Sequence, residues 1–155
     1  MKVITMKKLK FVDEGAFGKY YRIKGTNKGI KVIEQVKEDT NNYSTIEELT
    51  KSLLWKQSRK EYLLLKRAAK GGLAPKAFQF IAVKNRYGYK PGIIMQHLKS
   101  VAGNAEEALN ECLLRIGINH GDLHSSNVMI VKEGKKLVLY AIDFSSDCSS
   151  RVKGH

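Results

Sequence analysis

The stretch His120-Gly121-Asp122-Leu123-His124-Ser125-Ser126-Asn127, then the apolar runs Val128–Val131 and Leu137–Ile142, then Asp143-Phe144, decides how this chain is read. The two runs bracket the basic turn Lys132-Glu133-Gly134-Lys135-Lys136, a pattern that predicts a β-hairpin. A hairpin brings the chain back to where it set out. Asp122, Asn127 five residues later and Asp143 at the end of the returning strand are therefore expected to converge. Three oxygen-bearing side chains in one place suit a hard divalent cation such as magnesium, which prefers carboxylate and amide oxygens and keeps waters that exchange for phosphate. A carboxylate not used by the cation, Asp122, is then free to orient a hydroxyl nucleophile and accept its proton. The competing reading of the same residues is an Asx-rich turn that joins a helix to a hairpin.

Working back from this loop, Ala102–Ile116 has helical spacing of Ala105, Leu109, Cys112, Leu113 and Ile116, with Gly117 to end it. Further upstream, short β-type runs at Leu9–Val12, Tyr20–Ile23 and Ile30–Val36 alternate with turn signals and predict three antiparallel strands. The first ten residues read as a basic first strand. Tyr43–Lys70 holds neither Gly nor Pro and repeats apolar residues at helical spacing, which predicts one long helix, capped by Ser44 or Thr45 and ended by Gly71-Gly72. Strand signals return at Ala77–Val83 and Pro91–Leu98, around a turn at Asn85–Gly88. The final polar residues, from Ser145 on, are expected to be loosely ordered.

The chain has 155 residues, which predicts one domain, and no internal repeat or low-complexity tract divides it. Its 28 basic and 15 acidic residues leave a net charge of +13, which favours polyanionic company: nucleotides, nucleic acid, membrane surfaces or acidic proteins. The basic residues are spread along the whole chain, so a solvated surface explains them as well as a dedicated patch. Two cysteines, Cys112 and Cys148, make neither a disulfide framework nor a four-cysteine zinc site, and a reducing cytoplasmic setting is the default. No apolar run approaches the length of a membrane span and no secretory signal opens the sequence, so a soluble protein is expected.

The loop at His120–Asn127 resembles the catalytic loop of protein-kinase-fold phosphotransferases, and Asp143-Phe144 resembles their metal-binding Asp-Phe-Gly segment. The resemblance implies Asp122 as catalytic base, Asn127 and Asp143 as magnesium ligands, and His120 as a structural prop of the loop. Asp13-Glu14-Gly15-Ala16-Phe17-Gly18-Lys19-Tyr20 is similar to the family's glycine-rich loop, with Gly15 and Gly18 at its second and third glycines, Asp13 in place of the first, and Phe17 at the tip. Lys31, thirteen residues after Gly18, matches the phosphate-binding lysine. Its partner is expected to be Glu61 on the long helix rather than Glu47 or Glu48, which suit the helix start. By the same resemblance the base of ATP lies against the connection Gln96-His97-Leu98, with Met95 behind it and Met129 beneath it.

The implied fold is α+β and two-lobed. A five-stranded antiparallel sheet with one long helix forms the amino-terminal lobe over residues 1–96. A strongly reduced carboxy-terminal lobe over residues 97–155 holds one helix, the catalytic loop and a hairpin. Twelve residues follow Asp143, and Ser145 replaces the glycine after Asp-Phe, so no activation segment is expected. This economy resembles small effector kinases that bacteria inject into host cells, and more distantly RIO-type kinases. His124 stands where many protein kinases carry Lys, and His-Gly-Asp-Leu-His is similar to aminoglycoside-type kinases; a protonated His124 would donate to the γ-phosphate. The resemblance implies an ATP- and magnesium-dependent kinase of protein Ser or Thr residues, itself included, acting in bacterial or host cytoplasm, with a partner protein or a second copy supporting the reduced lobe. The alternatives are a small-molecule kinase, and a kinase-fold binding module or pseudokinase for RNA or an acidic protein.

Overall fold

A computed structural model describes residues 2–15, 17–98, 106–120, 128–133, 136–142, 144 and 149–150. The chain forms an α+β structure of two compact units. One comprises residues 1–60 and 77–97, the other residues 61–76 and 98–155.

The first unit is built on a mixed six-stranded sheet of β1 (Val3–Thr5), β2 (Leu9–Glu14), β3 (Gly18–Ile23), β4 (Lys28–Ile33), β5 (Ala77–Asn85) and β6 (Gly88–Gln96), in the order β1-β5-β6-β4-β3-β2. The expected five-stranded antiparallel sheet is thus one strand short. The first ten residues are not a single strand: a 3-10 turn at Met6–Lys8 separates β1 from β2, and β1 pairs in parallel with β5, Ile4 opposite Val83. Burial of Ile4 supplies the reason, since it joins Leu9, Tyr21, Ile30, Val32, Ile81, Val83 and Ile94 in the core on one sheet face. The other four pairings in the sheet are antiparallel. Alternation along β4 sends Lys31 to the opposite face, in register with Tyr20 of β3 and Ile93 of β6, and Ile93 in turn faces Phe80 of β5. Trp55 packs on Phe80, ring centroids 4.4 Å apart, so a helix covers this second face.

The single long helix expected over residues 43–70 is broken at Ser52 into α1 (Ile46–Lys51) and α2 (Leu53–Lys70). Thr45 caps α1 by accepting the Glu48 N–H. Ser52 leaves helical geometry, with ψ 158°; its hydroxyl donates to Leu49 O at 2.6 Å and accepts the Trp55 N–H at 3.0 Å, closing one helix and capping the next. A second otherwise unmatched N–H at the start of α2, that of Leu54, goes to Asp39 Oδ2 at 2.9 Å. Asp39 is buried, 4% exposed, and also accepts from Tyr43 Oη and from the Asn41 N–H. Lys90 Nζ, equally buried, donates to the carbonyls of Glu34 and Asn41 at 2.6 and 3.0 Å. The connection between β4 and α1 is therefore held from beneath by one buried carboxylate and one buried ammonium.

On α2, Ser58 is 1% exposed and its hydroxyl has no hydrogen-bond partner among the described residues. A buried hydroxyl left unpaired costs roughly 1–3 kcal/mol, and Ala is the better helix former. Ser58→Ala is accordingly expected to raise the melting temperature by about 2–4 °C in a thermal scan. A fall would mean that the hydroxyl is bonded.

The second unit begins within α2. Leu64, Leu65 and Ala68 are buried there, and the helix closes with Gly72 at φ +76°, the Gly72 N–H on Ala69 O and the Leu73 N–H on Ala68 O. α3 (Glu106–Arg115) buries Leu109 and Leu113, one turn apart, and ends at Gly117 with φ +83°. β8 (Val128–Glu133) and β9 (Lys136–Ala141) form the expected hairpin, Val128 opposite Ala141. Arg67 donates to Ile116 O at 2.9 Å and the Ala141 N–H to Leu73 O at 2.6 Å, which ties α2, the end of α3 and the hairpin together. β7 (Ile118–Asn119) pairs with β10 (Ser149–Ser150), so the tail expected to be loose contributes a short strand.

Candidate functional site

Gly15–Gly18 is the turn of the β2–β3 hairpin, closed by the Gly15 N–H on Gly18 O at 2.9 Å, with Glu14 opposite Lys19. Gly18 is required by contact, because a Cβ there would lie 2.2 Å from Val32 O. At Gly15 an added Cβ meets nothing within 4 Å. The Phe17 carbonyl accepts from the Glu34 and Gln35 N–H groups, and Lys19 pairs with Glu34 at 3.4 Å, so the turn is lashed to the end of β4. Asp13 and Glu14, both exposed, place carboxylates at its entrance, and the Asp13 side chain accepts the Glu14 N–H.

Lys31 is half-buried at the middle of β4. Two residues before it on the same face stands Gly29, opposite Met95 of β6. Met95 is buried, Gln96 and His97 are half-buried, and the His97 N–H is taken by Asn27 O at 3.1 Å. The space above Gly29 is filled by the ring of Tyr20, whose Oη lies 2.8 Å from His97 Nδ1. The structure thus brings Gly18, Lys31 and Met95 onto one sheet, with His97 directly after β6, and adds Tyr20 and Gly29, to which the motif assigns no role. Gly29 carried a usable signal, since a glycine inside a strand marks a close approach by another group.

Glu61 is buried on α2, whereas Glu47 and Glu48 are exposed in the first turn of α1. Leu98 follows His97 directly and is half-buried, as is Met129 on β8, opposite Tyr140. Tyr140 Oη donates to Glu133 at 2.8 Å within the same hairpin.

His120 is fully buried. Its Nε2 lies 3.1 Å from Ile142 O, and its ring stands 5.0 Å from that of Phe144, itself 1% exposed. One imidazole therefore joins the residue that opens the polar loop to the residues on both sides of position 143. Asp122, His124, Asn127 and Asp143 lie outside the described residues. Among the described residues, no three His, Cys, Asp or Glu gather around a metal position, and no helix is long and apolar enough to cross a membrane. Neither a comparison with protein-family models nor one with curated proteins finds a match to this chain.

Proposed function

We propose that the chain is an ATP- and magnesium-dependent phosphotransferase that moves the γ-phosphoryl group to Ser or Thr hydroxyls of proteins, itself included. The observation that carries this reading is His120. Buried between the Ile142 carbonyl and the Phe144 ring, it fixes position 120, two before Asp122 in the sequence, against the two neighbours of position 143. An imidazole used in this way is a structural support, which agrees with the role that the kinase resemblance gives His120 and leaves catalysis to Asp122, Asn127 and Asp143 in this reading. Lys31 at the centre of the sheet supports the reading as the cation that would meet phosphate oxygens.

In this mechanism Lys31 binds phosphate oxygens, and Asp122 orients the incoming hydroxyl and accepts its proton as the new P–O bond forms and the bond to the departing diphosphate breaks. Asn127 and Asp143 offer the amide and carboxylate oxygens that suit magnesium. Magnesium, when bound, neutralises charge on the β- and γ-phosphates. His124 stands two residues beyond Asp122 as a candidate donor to the γ-phosphate.

The turn favours a second reading. Its Gly15 N–H is already bonded and two carboxylates flank it, which weakens its hold on an anion, and a kinase-fold module that binds a polyanionic partner through the +13 charge would not need that hold. Incubation of the protein with γ-labelled ATP and magnesium, alone and with cell lysate, beside Asp122→Asn and Lys31→Ala, decides between them. Labelled protein bands that both substitutions abolish are the expected result. Bound ATP without transfer would favour the binding module, label on a small acceptor alone would indicate small-molecule chemistry, and absence of ATP binding would overturn the kinase reading.

A further inference from the structure

Tyr20 does something in this structure that its place in a strand does not require. It stands on β3 opposite Lys31, yet its ring leans along the face so that its hydroxyl end covers Gly29. A Cβ added to Gly29 would lie 1.8 Å from Tyr20 Oη, 2.3 Å from Cζ and 2.7 Å from Cε2. Gly29 has no left-handed backbone that would call for glycine, so the ring is what excludes a side chain there. Beyond Gly29 the phenol reaches His97, with Oη 2.8 Å from Nδ1 and the two rings nearly parallel, 14° apart at a centroid distance of 5.8 Å. Burial pushes the Tyr20 phenol up to about 12, so it stays neutral and able to donate through the physiological range. The phenol therefore fills the space over Gly29, whose cross-strand partner is Met95, and is latched by its hydroxyl to His97.

Met95 and His97 are the residues assigned to the base of ATP. The space above Gly29 that a base would need is the space the phenol fills. We propose that the Tyr20 ring occupies the seat of the nucleobase and that Tyr20 is the residue that sets nucleotide affinity: the base enters only when the phenol releases His97 and turns away from Gly29. This inference rests on the kinase reading. It adds that the chain as it stands favours a closed arrangement, so that the observed dissociation constant for ATP is the intrinsic one divided by the fraction in which Tyr20 is turned out.

The test is calorimetric titration of the full chain with ATP, and separately with adenosine, in wild type, Tyr20→Phe and Tyr20→Ala. Loss of the hydroxyl removes a hydrogen bond worth about 1 kcal/mol, so Tyr20→Phe is expected to tighten ATP about fivefold. Tyr20→Ala also vacates the seat and is expected to tighten ATP and adenosine by roughly tenfold or more. The wild-type chain supplies an independent readout: on addition of ATP, the His97 Nδ1 nitrogen resonance is expected to move as the phenol leaves. Weaker binding by Tyr20→Ala would mean that the ring stacks on the base, and equal binding that it is a bystander; either overturns the proposal, as does a His97 resonance unmoved at saturating ATP. If wild type transfers phosphate while the variants bind no tighter, the latch alone fails. If neither wild type nor any variant binds ATP, the kinase reading fails with it.

Discussion

Asp39→Ala is expected to cost about 3–4 kcal/mol of folding stability at pH 7, read as a shift in the urea midpoint at constant slope. Its carboxylate accepts from Asn41 N–H on one oxygen and from Tyr43 Oη and Leu54 N–H on the other. Truncation leaves the Leu54 N–H at the start of α2 and the Tyr43 hydroxyl without their acceptor, in a place 4% exposed for Asp39 itself. It also removes the negative charge that favours the buried ammonium of Lys90, whose pKa is lowered by burial and supported by Glu34 and Asp39. For a domain whose total stability is of the order of 5–15 kcal/mol, this is a large fraction. Asp39→Asn keeps the shape but turns one accepting oxygen into a donor, so it is expected to recover part of the loss and no more.

The same group gives a pH signature. Burial, the largest influence, pushes the Asp39 carboxyl up, but the hydrogen bonds from Tyr43, Leu54 and Asn41 outweigh it and hold the group below its ordinary value. The unfolded chain therefore takes up the proton first as pH falls. Stabilisation by Asp39 is present in full above the ordinary carboxylate value, about 4, and is lost as pH drops through the lower folded value. Urea midpoints of wild type and Asp39→Ala are expected to differ most near pH 7 and to converge in acid. A gap that stays constant down to pH 2 would show that Asp39 acts through packing alone.

What the sequence made legible follows from which forces are local. The β2–β3–β4 meander was readable because its alternation and turn glycines lie within a few residues, and α3 because Leu109 and Leu113 repeat at one turn. β1 was not, since three residues carry no period and their pairing with β5 spans most of the first unit. Reading α1 and α2 as one helix relied on the absence of Gly and Pro, yet a serine whose hydroxyl bonds Leu49 O and Trp55 N–H interrupts a helix just as well. At the candidate site the motif spacing pointed to Lys31, Gly18 and His97. It could not reveal that Tyr20 would cross a glycine to reach His97, because that contact joins residues 77 positions apart.

The sharpest functional contrast lies between Asp122 and His120, two residues apart in the chain. Asp122→Asn keeps the volume of the side chain and removes its capacity to accept a proton, so transfer is expected to fall by about 10²–10⁴ in kcat, with KM for ATP and the melting temperature nearly unchanged. His120→Ala removes a fully buried ring that meets Ile142 O and the Phe144 ring, leaving a cavity and a carbonyl without its donor. That change is expected to cost roughly 3 kcal/mol of stability. If His120 positions the loop, kcat also falls at a temperature where the variant is still fully folded, and His120→Asn, which can donate to Ile142 O, restores part of both. A His120→Ala protein that is less stable but transfers phosphate normally would confine the imidazole to the core, and would remove the link between the buried histidine and the chemistry assigned to Asp122 and Asp143.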